Sequence, residues 1–342
     1  MANYKEVITE LEHRGIEPYF GEFFDPDGFL NAYFFKNFFE FAQTSLERDD
    51  MDYDVRPARL YYNDRDSLNA LARTVHGIGL IEVNMGAIHR LLRLYIPKEH
   101  LFEEADLLVY KQMAIAQGVS PTIFMFQLLS LFLFYHETGH LIQQKIEGRG
   151  TDAYVEFLGE DNLPPEEVRI RHMREMDADW FAGQQLALHI KKCAEDLSGD
   201  GRLIDRQMLQ LVSSLAMAAV YMYFIFSSSD HPGLYLEEHS HPHPLVRLSY
   251  MYNCLFQNIE GNVFSEIPQA DILKEAVRIS DRLMLTPLRN IVRDYSIGLH
   301  NRLTDVEQYI KEIMGNTEGY AFLWSHVQKR PQPDANHKPL EV

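Results

Sequence analysis

The 342-residue sequence predicts an α+β fold that is predominantly α-helical, and three observations carry the prediction. Most of the chain after residue 85 repeats its apolar residues at the 3.6-residue period of a buried helix face. One short segment, Gly77 to Asn84, is β-branched and bounded by glycine, the pattern of a strand. Two of the helices carry polar pairs at i and i+4, His136 with His140 and Glu175 with Asp179, so each pair lies on one side of its helix.

In chain order, Phe and Tyr crowd residues 20–41, and the spacing of Phe34, Phe38 and Phe41 fits one buried helical face. A turn-rich piece with Asn63, Asp64 and Asp66 leads to Leu68-Asn69-Ala70-Leu71-Ala72, and the strand at 77–84 follows. Helices are expected near 86–95, 101–117 and 122–147, then a Gly-, Pro- and acid-rich connector from Glu147 to Pro165. A helix from Glu166 to about Lys192, a break at Ser198 to Gly201 and an apolar helix ending near Phe226 come next. The loop from Ser227 to Pro244 is rich in Ser, His and Pro, and further helices are expected near 245–257, 269–284, 287–301 and 305–314. The expected division is an N-terminal helical region over 1–60, a core over 61–258, a C-terminal helical region over 259–330 and a flexible tail over 331–342.

Composition narrows the function classes. With 50 acidic residues against 32 Lys and Arg, the formal charge is −18, which disfavours nucleic acid and anionic membrane surfaces as partners. Cys193 and Cys254 lack the spacing of a zinc knuckle or a redox pair and read as reduced thiols. Residues 1–12 lack a secretory layout, so a cytoplasmic location is expected. The apolar stretches Val119 to Tyr135 and Leu209 to Phe226 are near or below the roughly 20 residues of a spanning helix and lack basic flanks, so no membrane span is expected.

The chemistry concentrates at His136-Glu137-Thr138-Gly139-His140. Two imidazoles at i and i+4 reach one cation, and the intervening Glu137 lies beside the open coordination position, where it can take a proton from a zinc-bound water. A catalytic zinc takes three protein ligands. Position 146 is Ile146, so a third histidine six residues after the second is missing. Glu175 is the expected third ligand, with Asp179 accepting the outer N–H of a ligating histidine, and His172 is a rival ligand. Ala178, Ala182 and Gly183 are small enough for this helix to approach the first closely. The loop Glu238 to Arg247 adds His241 and His243, either of which can donate a hydrogen bond to an oxyanion.

The order His136-Glu137-x-x-His140, Glu175-x-x-Ala178-Asp179, then His241-Pro242 with Arg247 six positions after the histidine, resembles the gluzincin peptidases of the CaaX-prenyl-protease and HtpX type. The resemblance spans roughly residues 66–250, and a soluble branch of the Lit phage-exclusion type looks similar. It implies a zincin-like core with an active-site helix, a second ligand helix and a small edge-strand sheet. One Zn2+ per chain is implied at His136, His140 and Glu175, with Glu137 as general base, His241 as the transition-state histidine, and Asp179 and Arg247 in support. The strand Ile78 to Asn84 is implied as an edge strand holding an extended protein or peptide substrate by β-augmentation, through Ile78, Leu80 and Glu82. The activity expected is that of a zinc-dependent endopeptidase. The alternatives are a non-catalytic zinc-stapled interaction protein and a membrane-associated protease of the same family.

Overall fold

A computed structural model describes residues 3–48, 54–146, 164–198, 206–228, 233–263, 268–284 and 286–315. The elements are α1 (Tyr4–His13), α2 (Ala32–Glu47), β1 (Ala58–Asn63), β2 (Ala70–Val75), β3 (Ile78–Asn84), α3 (Met85–Tyr95), a 3-10 segment (Ile96–Glu103), α4 (Leu108–Ala116), α5 (Pro121–Ile146), α6 (Pro165–Leu197), α7 (Arg206–Ser227), α8 (Pro244–Val263), α9 (Gln269–Leu283) and α10 (Thr286–Gly315). The fold is α+β and mostly helical with one small sheet, as the periodicity predicts. The described residues form two units, one drawn from 1–93 and 133–158, the other from 94–132 and 159–318.

The first unit is organised by the sheet, whose order is β1-β3-β2. β1 runs parallel to β3, from Ala58 opposite Gly79 to Asn63 opposite Asn84, and β2 runs antiparallel, from Ala70 opposite Val83 to Val75 opposite Ile78. A two-residue turn joins β2 to β3, with φ of 50° at His76 and 77° at Gly77, a geometry that glycine adopts without steric cost.

This topology corrects the expectation of an edge strand at 78–84. β3 is the centre strand, with its backbone hydrogen bonds taken up on both sides. Ile78, Leu80 and Glu82 are accordingly buried inside the unit rather than presented to a substrate. The Glu82 carboxylate, fully buried, accepts from Tyr19 N at 2.8 Å, Phe20 N at 3.2 Å, Tyr61 Oη at 2.5 Å and Asn63 Nδ2 at 2.6 Å, and lies 3.6 Å from Arg73 Nη2. It pins the N-terminal segment to β1 and β3, and it is a structural anion.

The second unit contains α6 to α10. α7 is apolar on all sides because it is surrounded: Leu215 to Val220 are each fully buried. It is the one helix among the described residues long and apolar enough to cross a membrane, and 78% of its most apolar window is buried inside the protein. α4 and α5 are long and apolar enough to cross only when taken together, and they are bent by 67° at the break between them. Gly183 lies against α8, where an added Cβ would stand 2.9 Å from Cys254 Sγ and Met251 Sδ, so its small size serves the α6–α8 crossing.

Other boundaries shift for local reasons. The single helix expected at 101–117 is divided, because the chain enters a 3-10 segment with Pro97 in its first turn and only then starts α4. The pair expected at 287–301 and 305–314 appears as α10 with a break at Arg302, where φ is −126° and ψ is 23°. Most of the 147–165 connector, part of the 198–201 break and the 331–342 tail lie outside the described residues.

Removing Glu82 strands Arg73 and several donors in the interior. Glu82→Ala is expected to lower unfolding free energy by about 3–5 kcal/mol, measured by urea denaturation. A side chain that served only to contact substrate would leave the midpoint unmoved.

Candidate metal centre

The two histidines ride on the second half of α5, whose wall is apolar: Phe134, Tyr135, Leu141 and Ile142 are all buried. His136, Glu137 and His140 are at most 8% exposed. Thr138 Oγ1 donates to Phe134 O at 2.8 Å, so the polar side chain inside this turn is satisfied by its own helix. The end of α5 rests on the sheet: Gln144 Nε2 donates to Ala72 O at 3.0 Å, and Thr74 Oγ1 donates to Gln144 Oε1 at 3.0 Å. A Cβ at Gly79 would stand 3.2 Å from Leu141 Cδ1, so a larger residue at that point of β3 would crowd the helix.

His136 Nε2 and His140 Nε2 face each other at 3.2 Å, with the rings 87° apart. Two imidazole nitrogens bound at 2.0–2.1 Å to a tetrahedral cation stand about 3.3 Å apart, so this pair has the spacing of two ligands. Gln143 Oε1 lies 2.9 Å from His140 Nδ1, and since a carboxamide oxygen only accepts, the Nδ1–H donates to it. The lone pair of His140 is thereby left on Nε2. Sequence reasoning missed Gln143; its position three residues after His140 was the available signal.

In the second unit, α6 buries both members of its acidic pair, Glu175 at 2% exposure and Asp179 at 0%. Arg247, from the first turn of α8, grips Asp179 with Nε on Oδ2 at 2.7 Å and Nη2 on Oδ1 at 2.8 Å, and reaches Glu175 Oε2 with Nη1 at 2.9 Å. Burial opposes the guanidinium charge, but the Asp179 and Glu175 carboxylates outweigh it and hold its pKa well above the ordinary value. Asp179 was expected to support a histidine; the arrangement recorded on both of its oxygens is the bidentate Arg247 fork.

The loop before α8 separates its two candidate histidines. His241 Nε2 lies 4.0 Å from Glu175 Oε1, and its side chain keeps 29% exposure. His243 is fully buried, accepts from Leu245 N on Nδ1 at 3.1 Å and stacks on Tyr295 at 5.3 Å. It caps the start of α8, while His241 lies beside Glu175. His172, the rival ligand, is also fully buried and has both nitrogens engaged, Nδ1 with Tyr309 Oη and Nε2 with His239 O at 2.8 Å.

Ligand atoms of His136, His140 and Glu175 all lie within 4.8 Å of one another, and all three residues are buried. Two imidazoles and a carboxylate form a donor set that can hold a metal ion. No family model matches the chain, and neither a curated protein nor a solved structure matches it.

Burial pushes both His172 and His189 down to about 4 from an ordinary 6.5. Each then binds less proton folded than unfolded between those values, so its contribution to stability is complete above about 6.5 and is lost as pH falls towards 4. Unfolding free energy is therefore expected to drop between pH 6.5 and pH 4, each histidine adding up to about 1.4 kcal/mol per pH unit within the window. Urea titrations at several pH values check this, and His172→Gln should flatten the dependence.

Proposed function

We propose that this chain is a zinc-dependent endopeptidase with a zincin-like core, hydrolysing a peptide bond in an extended protein segment. The observation that carries the reading is the buried His136, His140 and Glu175 group with Glu137 set in the turn between the two histidines. Hydrolysis at such a centre needs a base beside the ligands, and Glu137 is buried in the turn between the two histidines. Resemblance of the motif order to gluzincins supports the same reading. A cytoplasmic setting and a peptide or protein partner belong to the proposal.

Zinc suits two imidazoles and one carboxylate, and when bound it supplies a Lewis acid for the scissile carbonyl. Glu137 takes a proton from the attacking water and returns it to the leaving amine. His241, partly exposed and beside Glu175, donates a hydrogen bond to the oxyanion that develops on the carbonyl. Arg247 lies 2.9 Å from Glu175 Oε2 and would help to orient this carboxylate as a ligand.

The substrate-holding edge moves from β3 to β2. Because Ala72 O accepts from Gln144 rather than from β3, the backbone groups of Ala70, Ala72 and Thr74 point outward from the sheet, beside the end of the histidine helix. With Ala72 O taken by Gln144 and Ala70 to Ala72 buried, strand addition by an extended segment would fall at the half-buried Thr74–Val75 end of β2.

The test uses the full chain. One zinc per chain is expected, with hydrolysis of a peptide library abolished by a chelator and restored by zinc. Glu137→Gln should keep the metal and lose about 10²–10⁴-fold in turnover. Undiminished hydrolysis by the metal-loaded Glu137→Gln protein overturns the assignment.

A further inference from the structure

We infer that Tyr309 and His172 are positioning residues that hold the His241 loop in place, so that the C-terminal helix α10 completes the site; this rests on the role proposed above for His241. The C-terminal region carries no motif in the sequence, yet its residues converge on the loop that does. Tyr295, Gly298 and Arg302 are spaced by three and four residues, which places them along one face of α10 up to its break, and Tyr309 follows beyond it. The first stacks on His243, an added Cβ at the second would stand 3.2 Å from Leu234 Cβ, and the third reaches Leu234 O with Nη1 at 3.4 Å. The break in α10 falls at Arg302 itself, the residue whose guanidinium makes that contact.

Tyr309 acts through His172. The carbonyl of His239 can only accept, so His172 Nε2 carries the proton and donates to it. Burial keeps the ring neutral near pH 7, which puts the lone pair on Nδ1, and Tyr309 Oη donates to that lone pair. The phenol thus selects the one neutral tautomer able to hold His239. Two residues further along the loop stands His241. Arg169 ties the same loop to α6 through Glu237 at 2.6 Å, so the segment is tethered before, at and after His239. A histidine that must donate to an oxyanion depends on its backbone staying within about half an ångström of the productive position. The Tyr309–His172–His239 chain is a buried link that holds the loop two residues from it.

The experiment compares the full chain with Tyr309→Phe, both loaded with zinc and labelled at histidine with nitrogen-15. In the parent, His172 should give the signals of the Nε2–H tautomer. In Tyr309→Phe, zinc should remain at one per chain and the circular dichroism unchanged, while the His241 signals, assigned with His241→Gln, shift or broaden. Where the parent cleaves a peptide, kcat should fall about tenfold with KM unchanged. Identical His241 signals in parent and variant overturn the inference, and so does loss of zinc from the variant, which would mark Tyr309 as part of the ligand scaffold. A parent without peptidase activity removes the proposed function, and the His241 signals still decide the positioning role.

Discussion

Arg247 is the interaction on which the candidate site depends. α6 carries Glu175 and Asp179 one turn apart on the same side and buries both, an arrangement whose mutual repulsion and lost hydration would push one of them to protonate. The guanidinium spans the pair, with two hydrogen bonds to Asp179 and one contact to Glu175. Its planar fork matches this geometry, and a lysine in its place would supply the charge without the bidentate grip. Glu175 and the imidazoles of His136 and His140 also form a buried donor set that can hold a metal ion.

The scaffold around α6 follows from keeping this cluster dry and fixed. Gly183, one turn beyond Asp179, lets α8 approach closely, and α8 is the element that delivers Arg247. His243 caps α8 and stacks on Tyr295 of α10, so it holds the start of the helix that carries Arg247. In the first unit Glu82 plays the comparable part, a buried anion surrounded by donors that joins the N-terminal segment to the sheet supporting α5.

What was legible in the sequence was what depends on local geometry. His136 and His140, like Glu175 and Asp179, read directly from helical spacing, and the strand at 78–84 from its composition. Partner choice was not legible, because pairing in a sheet is decided by segments distant in sequence. β3 therefore looked like an edge, although Leu60, Tyr61 and Tyr62 upstream and the His76-Gly77 turn marked two further strands. His241 and His243 were indistinguishable for a similar reason: both adjoin prolines, and only the start of α8 shows that His243 is spent on Leu245 N. Gln143 escaped because a glutamine in a helix is ordinarily solvated, and its meaning appears only when its oxygen is seen on a ring nitrogen.

That oxygen determines how the histidine pair must be read. Two Nε2 atoms at 3.2 Å fit either a hydrogen bond between rings or two donors directed at one cation. Gln143 requires His140 to carry its proton on Nδ1, so in both descriptions His140 Nε2 offers a lone pair. The ring that distinguishes them is His136, which carries the shared proton on Nε2 in the first and must place it on Nδ1 in the second. Cation binding at this pair is thus a tautomer change in one imidazole while the other is already set. The residue following that ring is Glu137, buried in the same turn of α5.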